Sequence, residues 1–442
     1  MQHEPNFSFE EITIRAPRYI GGEDNIPPEI DITTSVIELN LYESIYIPYI
    51  TGNITIVDTN AVINSLFNIQ GQEFLNVTLR VGEERITKEF VIHKIQTQTK
   101  AVGNNSSVFV LNIIEKHGYV SYFRKLQGSY SGNISDIVES IFENELDTPI
   151  NSASAAAQNI KVLACNRTPL GVCKWLMDRA TDEDGAPMFL YSSLKEGMIL
   201  SSLPEMLERN PLSEITFTHT HIHPHSHERR SGETIQHLKI EDNDDIISLA
   251  QAGALHSTYI SIDPLTSSID YLDHDIVSHH NNLFGDVNNQ YTMFVEDFEI
   301  NDQRIADLPS TYISEINTSG LFDNVYSYNE DALANHLKKV TRRADLLLLD
   351  KQRFEITLDG RHFLQYDFNS SIGVIINVYV PKDTPSYDGM NSEDMMKDKK
   401  RSGEFLITNM RHTFTIDSDH IAVASIARLA QPDNVNEEAR SR

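Results

Sequence analysis

The stretch that decides the fold is Ile47–Arg80, IPYITGNITIVDTNAVINSLFNIQGQEFLNVTLR. Ile50, Gly52, Ile54 and Ile56 alternate with Asn53, Thr55 and Val57, the period-two pattern of a strand with one buried face. Asp58-Thr59-Asn60 ends that strand. Val62, Ile63, Leu66 and Phe67 form a short apolar turn, and Gly71-Gln72-Glu73 resets the chain. Leu75, Val77 and Leu79 then start a second alternating strand. No group in the stretch is placed for catalysis. Strand, reset, glycine turn and strand again is how a small barrel or curved sheet is built.

Working outward, residues 1 to about 28 read as an entry arm with Gly21-Gly22 and Pro27-Pro28. Residues 29–117 are strand-rich and include a hairpin, KEFVIHKIQTQTK to VFVLNIIEK, turned at Gly103-Asn104-Asn105. Residues 118–210 change character. Asn133 and Asp136 open a helix whose Ile134, Ile137, Val138, Ile141 and Phe142 share one face. Residues 150 to 160 read as a small-residue linker. Thr168 and Pro169 cap the next helix, LGVCKWLMDRA, which turns Leu170, Cys173, Met177 and Ala180 one way. Asp182–Gly185 ends it, and PMFLYSSLKEGMILSS reads as a hairpin.

Within residues 211–349, HLKIEDNDDIISLAQAGA reads as a strand, Gln236 to Ile240, paired with a short helix. They continue as a partly irregular excursion with strands at Ser257–Ile262 and Tyr291–Phe298, and end in a helix whose Leu333, Leu337, Val340, Ala344, Leu347 and Leu348 share a face. In residues 350–430, Phe354, Ile356 and Leu358 alternate, and Ile372–Val380 is apolar throughout and predicted to be buried on both faces. A charged loop over 381–403 precedes a final hairpin turned at Asp417-Ser418-Asp419. Residues 431–442 form a solvated tail.

The most tempting site is HTHIHPHSHE, with His219, His221, His223, His225 and His227 at every second position. On a strand this spacing puts five imidazoles on one face, where two neighbours could share a transition metal. Pro224 interrupts a regular ladder and no cysteine lies nearby, so the bland reading is a His-rich polar surface. Gly128-Ser129-Tyr130-Ser131-Gly132 carries Tyr where a nucleophile elbow needs Ser. Asp182–Gly185 and Glu241–Asp245 lack calcium-loop spacing and read as solvated turns. There is no P-loop, dinucleotide fingerprint or HExxH. The two cysteines, Cys165 and Cys173, fit neither a disulfide framework nor a zinc knuckle and read as buried thiols. Trp175, the sole tryptophan, lies off its helix's apolar stripe and either packs the helix or anchors an interface.

The order strand, Asp, short helix, Gly-x-Glu, strand over Ile47–Arg80 resembles the first barrel of baseplate hub proteins from contractile-tailed bacteriophages. The helix, acidic-glycine break, aromatic strand, turn and strand over 168–202 resembles a module of the same hubs and of related injection-system spike proteins. The resemblance implies an α+β, β-rich fold with two tube-like β-barrel domains, one over 1–117 and one assembled from 211–349 and 350–430. The inserted α+β domain is then 118–210. It further implies a structural virion protein and not an enzyme. This would be a homotrimer whose six barrels mate with a sixfold tail tube or tube initiator above, a spike or needle below, and surrounding baseplate proteins. It would be made in the host cytoplasm and form part of the DNA conduit. No cofactor is implied. The alternative is a tail-associated cell-wall hydrolase or metal-binding tail-tip protein.

Charge bounds these readings. Thirty-six basic against 64 acidic residues give a formal net charge of −28. That argues against a nucleic-acid grip, which needs clustered Lys and Arg. It fits either plain solubility or a wall along which a phosphodiester chain slides without sticking. No run of about 18 apolar residues exists, so membrane insertion is not expected, and the polar start MQHEPNFSFEEITIRAP lacks a signal-peptide core.

Overall fold

The computed structural model describes residues 7–16, 29–59, 63, 69–100, 106–208, 216–218, 235–242, 246–275, 279, 291–295, 299–304, 308, 310–317, 330–349, 351–364, 370–380, 398, 401–417 and 419–433. The N-terminal half supplies seven strands: β1 (Ser8–Arg15), β2 (Glu29–Asp31), β3 (Val36–Ser44), β4 (Thr51–Thr59), β5 (Phe74–Val81), β6 (Glu84–Lys100) and β7 (Ser106–Glu115). They lie in the order β3-β4-β7-β6-β5-β1-β2, all antiparallel. The alternation legible in β4 is the alternation of its burial: Gly52, Ile54, Ile56 and Asp58 face in, while Thr51, Asn53, Thr55 and Val57 are half-exposed.

Gly52 is required there, because a Cβ would collide with the Asn40 carbonyl of the neighbouring strand. Two buried carboxylates hold the reset. Asp58 accepts from the Ile63 N–H at 2.9 Å. Glu73 accepts from the N–H groups of Gln70, Gly71 and Gln72 at 2.8, 3.0 and 3.0 Å. Both satisfy backbone donors that the strand ladder cannot reach.

The insert runs α1 (Lys116–Phe123), β8 (Leu126–Asn133), α2 (Ile134–Leu146), β9 (Ile150–Ala153), β10 (Asn159–Arg167), α3 (Pro169–Met177), β11 (Met188–Ser193), β12 (Gly197–Ser202) and α4 (Leu203–Glu208). Asn133 caps α2 by accepting from Ser135 N–H at 2.9 Å, and Thr168 caps α3 by accepting from Gly171 N–H at 3.1 Å. The expected hairpin is the β11–β12 pair. Part of the expected linker is a strand instead: β9 pairs parallel with β12, a tertiary pairing that overrides its small-residue composition. Cys173 is buried, but Cys165 is exposed, which corrects the expectation of two buried thiols. It points outward from β10, while its neighbour Ala164 points in.

The excursion contains β13 (Thr216–Thr218), β14 (His237–Asp242), α5 (Ile246–Gln251), β15 (His256–Asp263), β16 (Ser268–Asp275), β17 (Tyr291–Val295), β18 (Glu299–Ile300), β19 (Gln303–Arg304) and β20 (Thr311–Ile316). It has a sheet of its own, β16-β15-β20, with β20 parallel to β15. The long helix α6 (Glu330–Leu349) follows, then β21 (Gln352–Asp359), α7 (Arg361–Leu364), β22 (Ile375–Tyr379), β23 (Gly403–Thr415), β24 (His420–Arg428) and β25 (Ala430–Asp433). The apolar run before and through β22 is buried at Ile372, Val374, Ile375, Ile376 and Val378, as its composition predicts.

The expected pair of tube-like β-barrels does not form. Residues Asn409–Thr415 of β23 pair antiparallel with Glu38–Ser44 of β3, joining the halves into one thirteen-stranded sheet. Among the described residues no sheet closes, and the path runs from β14 at one edge to β2 at the other. The physical reason is edge pairing: β3 and β23 satisfy their outer backbone groups on each other, so neither half needs to close on itself. Register shifts in β1, β3, β6 and β23 bend the sheet without bringing its ends together.

Two hydrophobic cores lie on the same face of this sheet. One gathers Leu39, Leu41, Ile54, Phe90, Leu111 and Phe414; the other gathers Phe354, Ile356, Phe405, Met410, Ala424 and Ile426. A third core serves the insert. The β23–β3 register sets Leu39 opposite Phe414, Leu41 opposite His412 and Glu43 opposite Met410. A polar pair therefore stands where the two apolar cores meet.

Candidate functional site

That meeting point is a sealed hydrogen-bonded cluster. Glu43 and His412 are buried, and His412 Nε2 lies 2.8 Å from Glu43 Oε2. The Ser371 hydroxyl donates to both carboxylate oxygens, at 2.8 and 2.7 Å, and the Leu194 N–H donates to Oε1 at 2.6 Å. On its other side His412 Nδ1 lies 3.0 Å from His420 Nε2. Strand β3, the β11–β12 turn, the segment before β22, β23 and β24 all meet here. A serine, a histidine and a carboxylate together suggest a hydrolytic triad, but the connectivity is wrong. Ser371 gives its proton to the carboxylate and not to an imidazole, so no base activates it. The cluster instead satisfies polar groups at a junction where water is excluded.

A second junction uses the end of the same strand, β11, through Ser192 and Ser193. Glu115 Oε2 accepts from Ile50 N–H at 3.0 Å and from the Ser192 hydroxyl at 2.8 Å. Lys88 Nζ reaches Glu115 at 3.4 Å and the Ser193 carbonyl at 2.9 Å. Burial alone would raise the Glu115 pKa. His117, Lys88, the Ile50 N–H and Ser192 together outweigh it and hold the carboxyl below its ordinary value. Sequence reading passed over these groups. The signal was present: Leu39, Leu41 and Glu43 share one face of β3, and Met410, His412 and Phe414 share one face of β23, so each strand carries a polar residue at a core position.

The accessible features lie elsewhere. The β3–β4 connection, α1, α3, β11 and α6 surround a cavity of about 420 Å³ whose walls include Tyr46, Tyr49, Met177, Phe189 and Arg342. Exposed Tyr122 forms part of the same wall. On the coreless face of the sheet, a depression of about 460 Å³ spans the β3–β23 junction and is lined by Tyr42, Thr51, Glu355, Thr357, Asn409 and Arg411. Beside it the Thr413 hydroxyl donates to Asn40 Oδ1 (2.7 Å), Asn40 Nδ2 to Asn53 Oδ1 (3.0 Å) and Asn53 Nδ2 to the Tyr42 hydroxyl (3.2 Å). Asn112 continues this row on β7. The register places charges of both signs on that face: Glu38, Glu355 and Asp359 with Lys94, Arg353 and Arg411.

The expected metal candidates His219, His221, His223, His225 and His227 lie outside the described residues. Among the described residues no group of three or more His, Cys, Asp or Glu could hold a metal ion. The Gly128–Gly132 stretch is part of β8, paired with β10. Asp182 caps its own turn, accepting from Ala186 N–H at 2.8 Å, as a structural turn should. Trp175 packs partly buried against the insert's core with the Arg179 guanidinium 3.9 Å over its ring. Among the described residues no helix is long and apolar enough to cross a membrane.

This architecture has solved counterparts. The tail protein from Neisseria meningitidis MC58 matches with a TM-score of 0.55 and 11% identity, over 96% of this chain and 97% of that one. The chain has the fold of a tail protein. Weaker matches include the 43 kDa tail protein of prophage MuSo2 from Shewanella oneidensis (TM-score 0.49, 11% identity, 95% and 98% covered). An E. coli component of the type VI secretion system also matches (TM-score 0.44, 8% identity, 89% and 73% covered). No family model and no curated protein matches the sequence.

Proposed function

We propose that this chain is a structural hub of a contractile-tail baseplate, a homotrimer that joins the tail tube to the central spike. The observation that carries the reading is the two-cored sheet, within a fold shared end to end with a tail protein. Each subunit offers two sheet halves, so three subunits offer six and can meet a sixfold tube on one side and a threefold spike on the other. The polar, charge-balanced face across the β3–β23 junction is the surface suited to line a DNA conduit, because it gives phosphates no basic cluster to grip. In this reading the tail-tube or tube-initiator protein, the spike and the surrounding baseplate proteins are the partners, and the virion baseplate is the location. Subunits this acidic repel one another, so the trimer should weaken as ionic strength falls. Native mass spectrometry with negative-stain imaging tests the proposal. A three-subunit ring is expected; a lone subunit at every concentration and salt would overturn it.

A further inference from the structure

Arg342 does something the seam and the sheet do not explain. It rises from α6 between two cavities, of about 420 and 350 Å³, and lines both. The residue is only 9% exposed. Among the described residues its guanidinium makes one hydrogen bond, from Nη1 to the Met188 carbonyl at 2.6 Å, and lies 5.3 Å from the Phe189 ring centre. No described carboxylate comes within ion-pair distance. Asp178 and Asp345 act on it only through their fields, and Asp345 already faces His279 at 3.2 Å. Desolvation outweighs both acids and lowers the Arg342 pKa. A guanidinium has five N–H donors, and buried charges are normally paired. Here one donor is used.

The surroundings indicate what is missing. The walls of the larger cavity are apolar or aromatic, from Ile45, Tyr46, Leu170, Met177, Phe189 and Leu190, and exposed Lys174 stands at its margin. Lys339 and exposed Arg343 line the smaller cavity. Asp178 lines both cavities and Glu315, ion-paired with Lys339, lines the smaller, so four cations stand against two carboxylates, a local excess of positive charge in a chain of net charge −28. We infer that the larger cavity is a docking site for an acidic peptide segment of a partner protein, with an aromatic or aliphatic side chain filling the apolar walls and an adjacent carboxylate pairing with Arg342. The planar fork of arginine suits two-pronged carboxylate recognition. The inference stands whether or not the hub reading holds.

The test uses the full-length protein and two capped peptides, acetyl-Leu-Phe-Asp-amide and the same peptide with Asn in place of Asp, read by isothermal titration and by methyl NMR of Met177 and Leu190. The Asp peptide should bind about tenfold more tightly than the Asn peptide, the scale of one charged hydrogen bond. Arg342→Gln should abolish that preference. If that variant fails to fold, the exposed Lys174→Glu must shrink or reverse the preference, and raised salt must narrow it. Equal binding of both peptides, unmoved Met177 and Leu190 methyls at saturation, or a preference that survives Lys174→Glu would overturn the inference.

Discussion

The two halves of the large sheet reach the same design by different routes. In the N-terminal half, β3 pairs with β4, β5 with β6 and β6 with β7, so most ladders join strands that follow one another in the chain. In the C-terminal half, β14 pairs with β21 across most of the excursion and α6, and among the described residues only β23–β24 is a local hairpin. Both halves nevertheless place one core on the same face. The difference teaches that a half-sheet can host a long insertion between its own strands, provided that the edge it shares with its neighbour is fixed. Glu43, Ser371 and His412 fix that edge.

The sharpest way to break the comparison is Glu43→Ala. It leaves His412, the Ser371 hydroxyl and the Leu194 N–H without their acceptor, and should cost about 3–5 kcal/mol in urea unfolding. If the junction is what couples the halves, unfolding should also split into two transitions; a single unshifted transition would refute its role. Next come Leu111→Ala in one core and Ile356→Ala in the other. Each should cost about 2–5 kcal/mol and, in the intact protein, shift one shared transition. Separate transitions for the two variants would show that the halves unfold independently.

A subtler effect is the acid response of Glu115. Its folded pKa is lowered, so its contribution is complete above the unfolded value of about 4.3 and is lost as pH falls from there through the folded pKa. The urea midpoint of the wild type should therefore drop over that acid range more steeply than that of Glu115→Gln; parallel curves would refute the coupling. Smallest is Asn133→Ala, which removes the α2 cap and should cost about 1 kcal/mol. Hydrogen exchange should show the loss confined to the insert, with protection in both sheet halves unchanged.

The sequence made the local half legible because period two and turn chemistry act over short distances: β4, the β6–β7 hairpin and the caps at Asn133 and Thr168 all stand where they were expected. It hid whatever depends on distant pairing. Nothing in Glu38–Ser44 announces Asn409–Thr415 as its neighbour, so two closed bodies were expected where one open sheet forms. The strand β9 was hidden likewise, because its partner β12 lies beyond three further elements. The docking cavity was illegible for a related reason. Arg342 reads as one more polar residue on an amphipathic helix until the insert packs over it.

Strand β23 gives its first residues to β22 and its last seven to β3, changing partner near Thr408. A tug along the strand direction that tried to slide one half past the other would strain those seven pairings in shear, all at once, and could not peel them one by one. In the proposed hub role, where force would pass between a column and a tip, such a joint would yield only after collective rupture, while the flanking hairpins keep their shape.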